Sequence, residues 1–330
     1  MRLENISKVY SYLTKEKFLS NKELEQLVDE ENQNKVSQLK DTINALILSN
    51  AVFVKKGNSI KFYLGNLKGK IEINNSNGKI KQLLVIPSIP KIENFRDLTV
   101  CLNRLNGEVG IGLKKDNKIY EKNIHKSFAI ASLVKIRILN EVLKSLNLKN
   151  SYQIKTNDIS VLSLGLSDKD VGKFISVEEL VDMMINLSDN TAMDILLSML
   201  KKLGKCEEIK FTKDVYGNAW CRDKNDSWKW RIESLNKVMW DQGYDYFDSL
   251  DSILATAESL KLNRFNPWKT NFIYKGGNAP GVISILLGSQ DTGTYFTAVV
   301  NKKSPFTIIE ELYFYECIRY YTERIRLVNE

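Results

Sequence analysis

The chain has 330 residues, 43% of them apolar and 27% charged, with five prolines and seventeen glycines. It is long enough for one large domain and a smaller one, too apolar for disorder along its length, and too poor in glycine and proline to be fibrous or linker-like. The formal net charge is +8. Residues 1–82 hold 14 Lys+Arg against 9 Asp+Glu and the remaining 248 hold 34 against 31, so most of the excess sits in the first quarter, as a basic surface or as plain lysine-rich composition.

Residue types narrow the chemistry. Four widely spaced cysteines (Cys101, Cys206, Cys221, Cys317) with no CxxC pair do not make a disulfide framework. The single histidine, His125, leaves no multi-histidine metal site and is expected to be structural. Lysine, serine and carboxylates are therefore expected to carry any reaction, with no cofactor and no metal. The start, MRLENISKVY, has no apolar core of a signal peptide, and no run reaches 18 apolar residues. A cytoplasmic protein without a membrane partner is the expectation.

Short apolar periodicities over residues 5–14 and 21–29 predict two helices, the second opened by a capping box of Ser20 and Glu23. A third, from about Lys35 to Leu48, puts Val36, Leu39, Ile43, Leu46 and Ile47 on one face. Residues 51–64 (AVFVKKGNSIKFYL) then read as two strands around a Gly57-Asn58 turn. Three helices and a basic hairpin resemble a winged helix-turn-helix domain over residues 1–65. In that fold the third helix enters the major groove and the hairpin touches phosphate. The resemblance implies contacts from Lys35, Ser37, Gln38, Lys40 and Asn44, and from Lys55, Lys56, Asn58 and Lys61. Asp29, Glu30, Glu31 and Asp41 would repel a phosphate backbone, so a DNA partner and a protein partner both remain open.

Residues 66–91 contain Gly69, Gly78, Pro87 and Pro90 and read as a connector with room for one hairpin. From Ile92 a helical pattern leads to the strand GEVGIGL (107–113) and its expected neighbour near Lys118. Three or four helices follow to about residue 204. Two late strands, 282–287 and 295–300, flank an Asp291-Thr-Gly-Thr turn, and an amphipathic helix from Phe306 to about Leu327 ends the chain. Strands at both ends of a helical block predict an α+β fold for residues 92–330: one antiparallel sheet packed with helices.

Ser-x-x-Lys occurs six times, at Ser37, Ser76, Ser88, Ser132, Ser198 and Ser234. Only Ser132 opens a strongly apolar helix, FAIASLVKIRIL (128–139). A serine there feels the positive end of the helix dipole, beside amides free to hold an oxyanion. Lys135, one turn on, shares its face, and a partly buried lysine can act as general base. This pairing needs no histidine.

Fifty-six residues on comes LSDNTAMDILL (187–197), and eighty-seven after Ser188 comes FIYKGGN (272–278). Ser-x-x-Lys, Ser-Asp-Asn and Lys-Gly-Gly, in this order, resemble the class A β-lactamases and penicillin-binding DD-peptidases over about residues 92–330. The apolar helix leading into Ser-Asp-Asn and the strands after Lys-Gly-Gly fit that layout. The resemblance implies a β-lactamase-like serine hydrolase acting through an acyl-serine, with Ser132 as nucleophile and Lys135 as its base. It further implies that Ser188 relays a proton to the leaving nitrogen and Asn190 holds the substrate amide. Lys275 would attract a substrate carboxylate, beside Gly277, and the N–H groups of Ser132 and Asn278 would hold the oxyanion.

The chain departs from that pattern in two places. The class A deacylating motif is Glu-x-x-Leu-Asn; here WKWRIESLN (228–236) keeps Leu235-Asn236 but has Ile232 where glutamate is expected and Glu233 one place late. Glu233 is either the displaced catalytic carboxylate or a surface one. Trp220, Trp228, Trp230 and Trp240 crowd the same stretch. In the third motif Gly276 replaces a hydroxyl residue. Weak turnover of ordinary β-lactams is expected. The alternatives are a ligand-sensing regulator with a β-lactamase-like sensor, and a serine amidase of the glutaminase kind, which the Ser-Asp-Asn and Lys-Gly-Gly motifs disfavour.

Overall fold

The computed structural model describes residues 51–205, 247–260 and 272–325, except 57–58, 65–66, 77–78, 116–117, 161–162, 280, 303 and 305; before residue 51 it describes only Ser7, Tyr10, Ser11 and Thr14. Those four are helical, and Thr14 donates through Oγ1 to the Tyr10 carbonyl at 2.9 Å. The rest of the three helices expected over 5–48 lies outside the described residues, as do Ile232, Glu233 and the tryptophan-rich stretch. Two compact units emerge: Met1–Leu105 with Phe306–Arg324, and Asn106–Pro305 with Ile325–Glu330.

In the first unit, β1 (Val52–Lys56) and β2 (Ser59–Leu64) form the expected hairpin, in register from Val52 opposite Tyr63 to Lys56 opposite Ser59. Period-2 alternation sorts its side chains: Phe53, Ile60 and Phe62 are buried, whereas Val52, Val54 and Tyr63 are exposed. The segment read as a connector supplies two ten-residue strands, β3 (Leu67–Ser76) and β4 (Lys79–Ser88), completing an antiparallel sheet in the order β1-β2-β3-β4. Helix α1 (Phe95–Asn103) is capped by Asn94, whose side chain accepts from the Asp97 amide at 3.0 Å. Its buried Leu98, Cys101 and Leu102 pack with the terminal helix, Ile308–Arg324, which buries Ile309, Tyr313, Phe314 and Cys317.

The second unit follows the α+β plan. Along the chain come β5 (Glu108–Lys115), β6 (Lys118–Lys122), β7 (Ser127–Ala129), α2 (Val134–Ser145), β8 (Ser151–Gln153), β9 (Phe174–Ser176), α3 (Val177–Asn186), α4 (Asn190–Lys202), β10 (Phe247–Ser249), α5 (Leu250–Leu260), β11 (Phe272–Ala279), β12 (Val282–Ser289) and β13 (Thr294–Asn301). Five strands form one antiparallel sheet in the order β11-β12-β13-β5-β6, so the last strand pairs with the first, from Asn301 opposite Glu108 to Tyr295 opposite Lys114. β7 pairs with β10 and β8 with β9.

Helix α5 packs on β5 and β13, and α2 on α4 and α5. The glycines of β5 make this approach possible: a Cβ at Gly110 would lie 2.6 Å from the Phe128 ring, and one at Gly112 would lie 2.8 Å from Leu254. Ile136, Leu139, Val142, Leu180, Met184, Leu196, Leu200, Ile253, Leu286 and Val299 form one buried cluster. At roughly 1.5–3 kcal/mol for each large apolar side chain, this burial holds α2 to α4 and α5, and α5 to the sheet. Among the described residues no helix is long and apolar enough to cross a membrane, and no cluster of metal-ligating side chains occurs.

Candidate active site

The first motif lies where β7 passes into α2. Between them a 3-10 turn, Ala131–Leu133, holds Ser132 half-buried at the helix entrance, where amides lack intrahelical acceptors. The turn is strained: Ala131 has φ +47°, in the left-handed region that non-glycine residues seldom adopt. Lys135, the first buried polar residue of α2, has no exposed surface.

The second motif is the corner between α3 and α4. A Ser176–Glu179 capping box opens α3. After it ends, Ser188 takes φ +54° and turns the chain. Asp189 then caps α4, accepting from the Ala192 amide through Oδ1 at 2.8 Å. Its Oδ2 accepts from the amides of Leu164 (2.9 Å), Gly165 (2.6 Å) and Leu166 (3.3 Å), and from the Ser163 hydroxyl. A carboxylate with no exposed surface is tolerable only with such a set of donors. The middle residue of the motif thus ties the 163–166 loop to the corner, with Ser188 and Asn190 on either side of it.

The third motif reaches the same corner from the sheet. Lys275 on β11 donates to Ser188 Oγ at 2.8 Å and to the Gly276 carbonyl at 3.2 Å. Lys135 donates to the Ser188 carbonyl at 2.6 Å, to Ser188 Oγ at 3.1 Å and to Asn190 Oδ1 at 2.7 Å. Amines from the first and third motifs therefore meet on one hydroxyl of the second. An oxygen that accepts from both keeps its own proton to donate elsewhere. With Asn190 Oδ1 occupied by Lys135, the Nδ2 group faces away and can donate. Burial, and after it the charge of Lys135, pull Lys275 down to about 7.

β11 is an edge strand among the described residues, and it lies against the turn that holds Ser132. A Cβ on Gly277 would sit 2.4 Å from Ser284 Oγ, 2.7 Å from the Ile130 carbonyl oxygen and 3.0 Å from the Ser132 nitrogen. Only glycine permits that approach. It brings β11 at Gly277 close to the Ser132 nitrogen; the next residue, Asn278, has an exposed side chain.

Ser132, Lys135, Ser188, Asn190, Lys275, Gly277 and Asn278 thus belong to one region of the second unit. Glu233 lies outside the described residues. His125 is exposed and holds Asp251 Oδ2 at 3.0 Å through Nδ1. Sequence reasoning did not single out Asp189, the acid at the centre of the second motif. It also missed Ser284, whose Oγ donates to the Ile130 carbonyl at 2.8 Å, and Asn301, which bonds the Ala129 backbone; no local pattern marks either.

Residues 93–213 match the family described as the beta-lactamase enzyme family. No curated protein matches the chain. Among solved structures, the chain is similar to a double mutant of the last common ancestor of Gram-negative bacteria class A β-lactamase, bound to 5(6)-nitrobenzotriazole. The TM-score is 0.50 at 18% identity over 70% of this chain and 98% of that one. A further variant of that ancestor, with the same ligand, gives 0.50 at 17% identity over 70% and 97%. The class A β-lactamase from Mycobacterium abscessus gives 0.49 at 15% identity over 70% and 98%. The fold is class A β-lactamase-like.

Proposed function

We propose that the chain cleaves an amide, lactam or ester through an acyl-serine intermediate on Ser132. The observation that carries this reading is the meeting of Lys135 and Lys275 on Ser188 Oγ, with Asn190 bound to the same Lys135 amine. Three stretches far apart in sequence build a hydrogen-bonded unit next to the nucleophile turn. An isolated helix cap or turn has no use for it.

In this mechanism Asn190 Nδ2 and the Ser132 and Asn278 amides place the scissile carbonyl. Lys135, once it has given up one of the three protons it donates to Ser188 and Asn190, takes the Ser132 proton as Oγ attacks the carbonyl carbon. The tetrahedral oxyanion is held by the two amides. Ser188 gives its hydroxyl proton to the leaving nitrogen or oxygen as that bond breaks, and recovers one from the lysine pair. Water then hydrolyses the ester on Ser132. Lys275 sets the field at Ser188 and, when protonated, attracts an anionic substrate group.

Turnover of ordinary penicillins is expected to be weak, because an apolar Ile232 cannot orient or deprotonate the deacylating water. Losing a general base costs about 10²–10⁴-fold, so the effect is large enough to see directly. Two measurements test the reading. Phosphonate labelling in Lys135→Ala should slow by a factor on the order of 10²–10⁴, and a rate equal to wild type would remove Lys135 as base. Penicillin should leave a persistent mass adduct with little nitrocefin hydrolysis. Rapid hydrolysis lost in Glu233→Gln would instead make Glu233 the deacylating carboxylate.

A further inference from the structure

Ala131 presents a physical question. Its left-handed φ is unfavourable for alanine, and such strain persists only where the surroundings over-determine it. The two residues before it are held by side chains from the sheet. Asn301, at the end of β13, accepts from the Ala129 amide through Oδ1 at 2.9 Å and donates through Nδ2 to the Ala129 carbonyl at 3.0 Å. Its amide thus acts as a one-residue strand, pairing both backbone groups of Ala129. Ser284, with no exposed surface on β12, donates to the Ile130 carbonyl at 2.8 Å and approaches the Gly277 carbonyl at 3.3 Å. The Ile130 carbonyl also receives the Leu133 amide at 3.1 Å, closing the turn that contains Ser132.

We infer that Ser284 and Asn301 are positioning residues that hold Ala131 in its left-handed turn and so fix Ser132 and its amide against β11. The inference rests on the reading of Ser132 as the nucleophile. Ser284 lies opposite Gly277 in the β11–β12 register, so one hydroxyl spans both sides of the expected oxyanion site. Asn301 lies opposite Val282 on β12 and Glu108 on β5, so its position is set by the middle of the sheet rather than by the turn itself. Asn301 clamps the residue two before Ala131 and Ser284 the residue immediately before it. With both in place, the chain must enter α2 through the strained residue. Without them, Ala131 is free to return to negative φ, which rotates the Ser132 amide away from β11.

The test compares Ser284→Ala and Asn301→Leu with wild type, using a fluorescent alkyl phosphonate as probe. Each variant should lower the first-order rate constant of labelling by about tenfold to a hundredfold, as a displaced reacting group does, and leave the reversible affinity for the probe unchanged. Crystal structures of the variants should show Ala131 out of the left-handed region, with faster amide exchange at Ser132 and Leu133. A fall in thermal midpoint with an unaltered labelling constant would show a structural role only and overturn the inference. So would an Ala131 that stays left-handed in both variants. If wild type takes no label, the acyl-serine reading fails by itself. The φ of Ala131 and the exchange rates then decide whether Ser284 and Asn301 hold the turn.

Discussion

Glycine and lysine show how single residues set this site. The space over Gly277 is already filled by Ser284 Oγ, the Ile130 carbonyl and the Ser132 nitrogen, two of the three being main chain. Gly277→Ala must therefore push β11 off the turn that holds Ser132. Labelling at Ser132 is expected to fall by at least about 10²-fold, the scale of a 1 Å displacement of reacting groups, while the protein stays folded by circular dichroism. Lys275 gives a pH signature. Its amine is depressed from 10.5 to about 7, so between those values the unfolded chain binds a proton that the folded chain does not. Stability then rises with pH across that window, and the penalty for the buried charge is fully present below about 7. Urea denaturation should show the stability of wild type relative to Lys275→Met improving from pH 7 towards 10; a constant difference would mean that Lys275 keeps its proton.

At the scale of elements, the Ser-Asp-Asn corner does two jobs, and its central carboxylate does the architectural one. Asp189→Ala would leave the amides of Leu164, Gly165, Leu166 and Ala192 without their acceptor. The Leu166 and Ala192 amides are buried, and leaving a buried donor unsatisfied costs about 1–3 kcal/mol, so a loss of at least about 2 kcal/mol is expected in urea unfolding. Asp189→Asn, which keeps one acceptor oxygen, should lose less. A neutral alanine variant would show that the loop is not held by this residue. The same corner shows what sequence can and cannot reveal. The helices around it were legible because apolar periodicity is local. The 163–166 loop was not, because Asp189 acquires those partners only through tertiary folding. β3 and β4 were read only as room for one hairpin in a connector, because Gly69, Gly78, Pro87 and Pro90 resemble a linker; strand pairing across the sheet outweighs that local bias.

Across the whole molecule, the sheet that joins the first and last strands of the second unit brings Lys275 to residues 87 and 140 positions earlier in the chain. The motif order in the sequence was enough to anticipate that convergence, since each motif sits on a short, recognisable pattern. The supports behind it, Ser284 and Asn301, were invisible, because a lone buried serine or asparagine in a strand has no signature until its partner is placed beside it. In the proposed mechanism a chain with one histidine can still activate a serine, because two amines and a serine hydroxyl supply the proton path. The account stands or falls on a covalent bond to Ser132. The most direct measurement is intact mass, followed by peptide mapping, after exposure to a serine-directed phosphonate and to a fluorescent penicillin. One adduct on the peptide containing Ser132, absent in Ser132→Ala, is the predicted result; an adduct that survives Ser132→Ala, or maps to another serine, would contradict it.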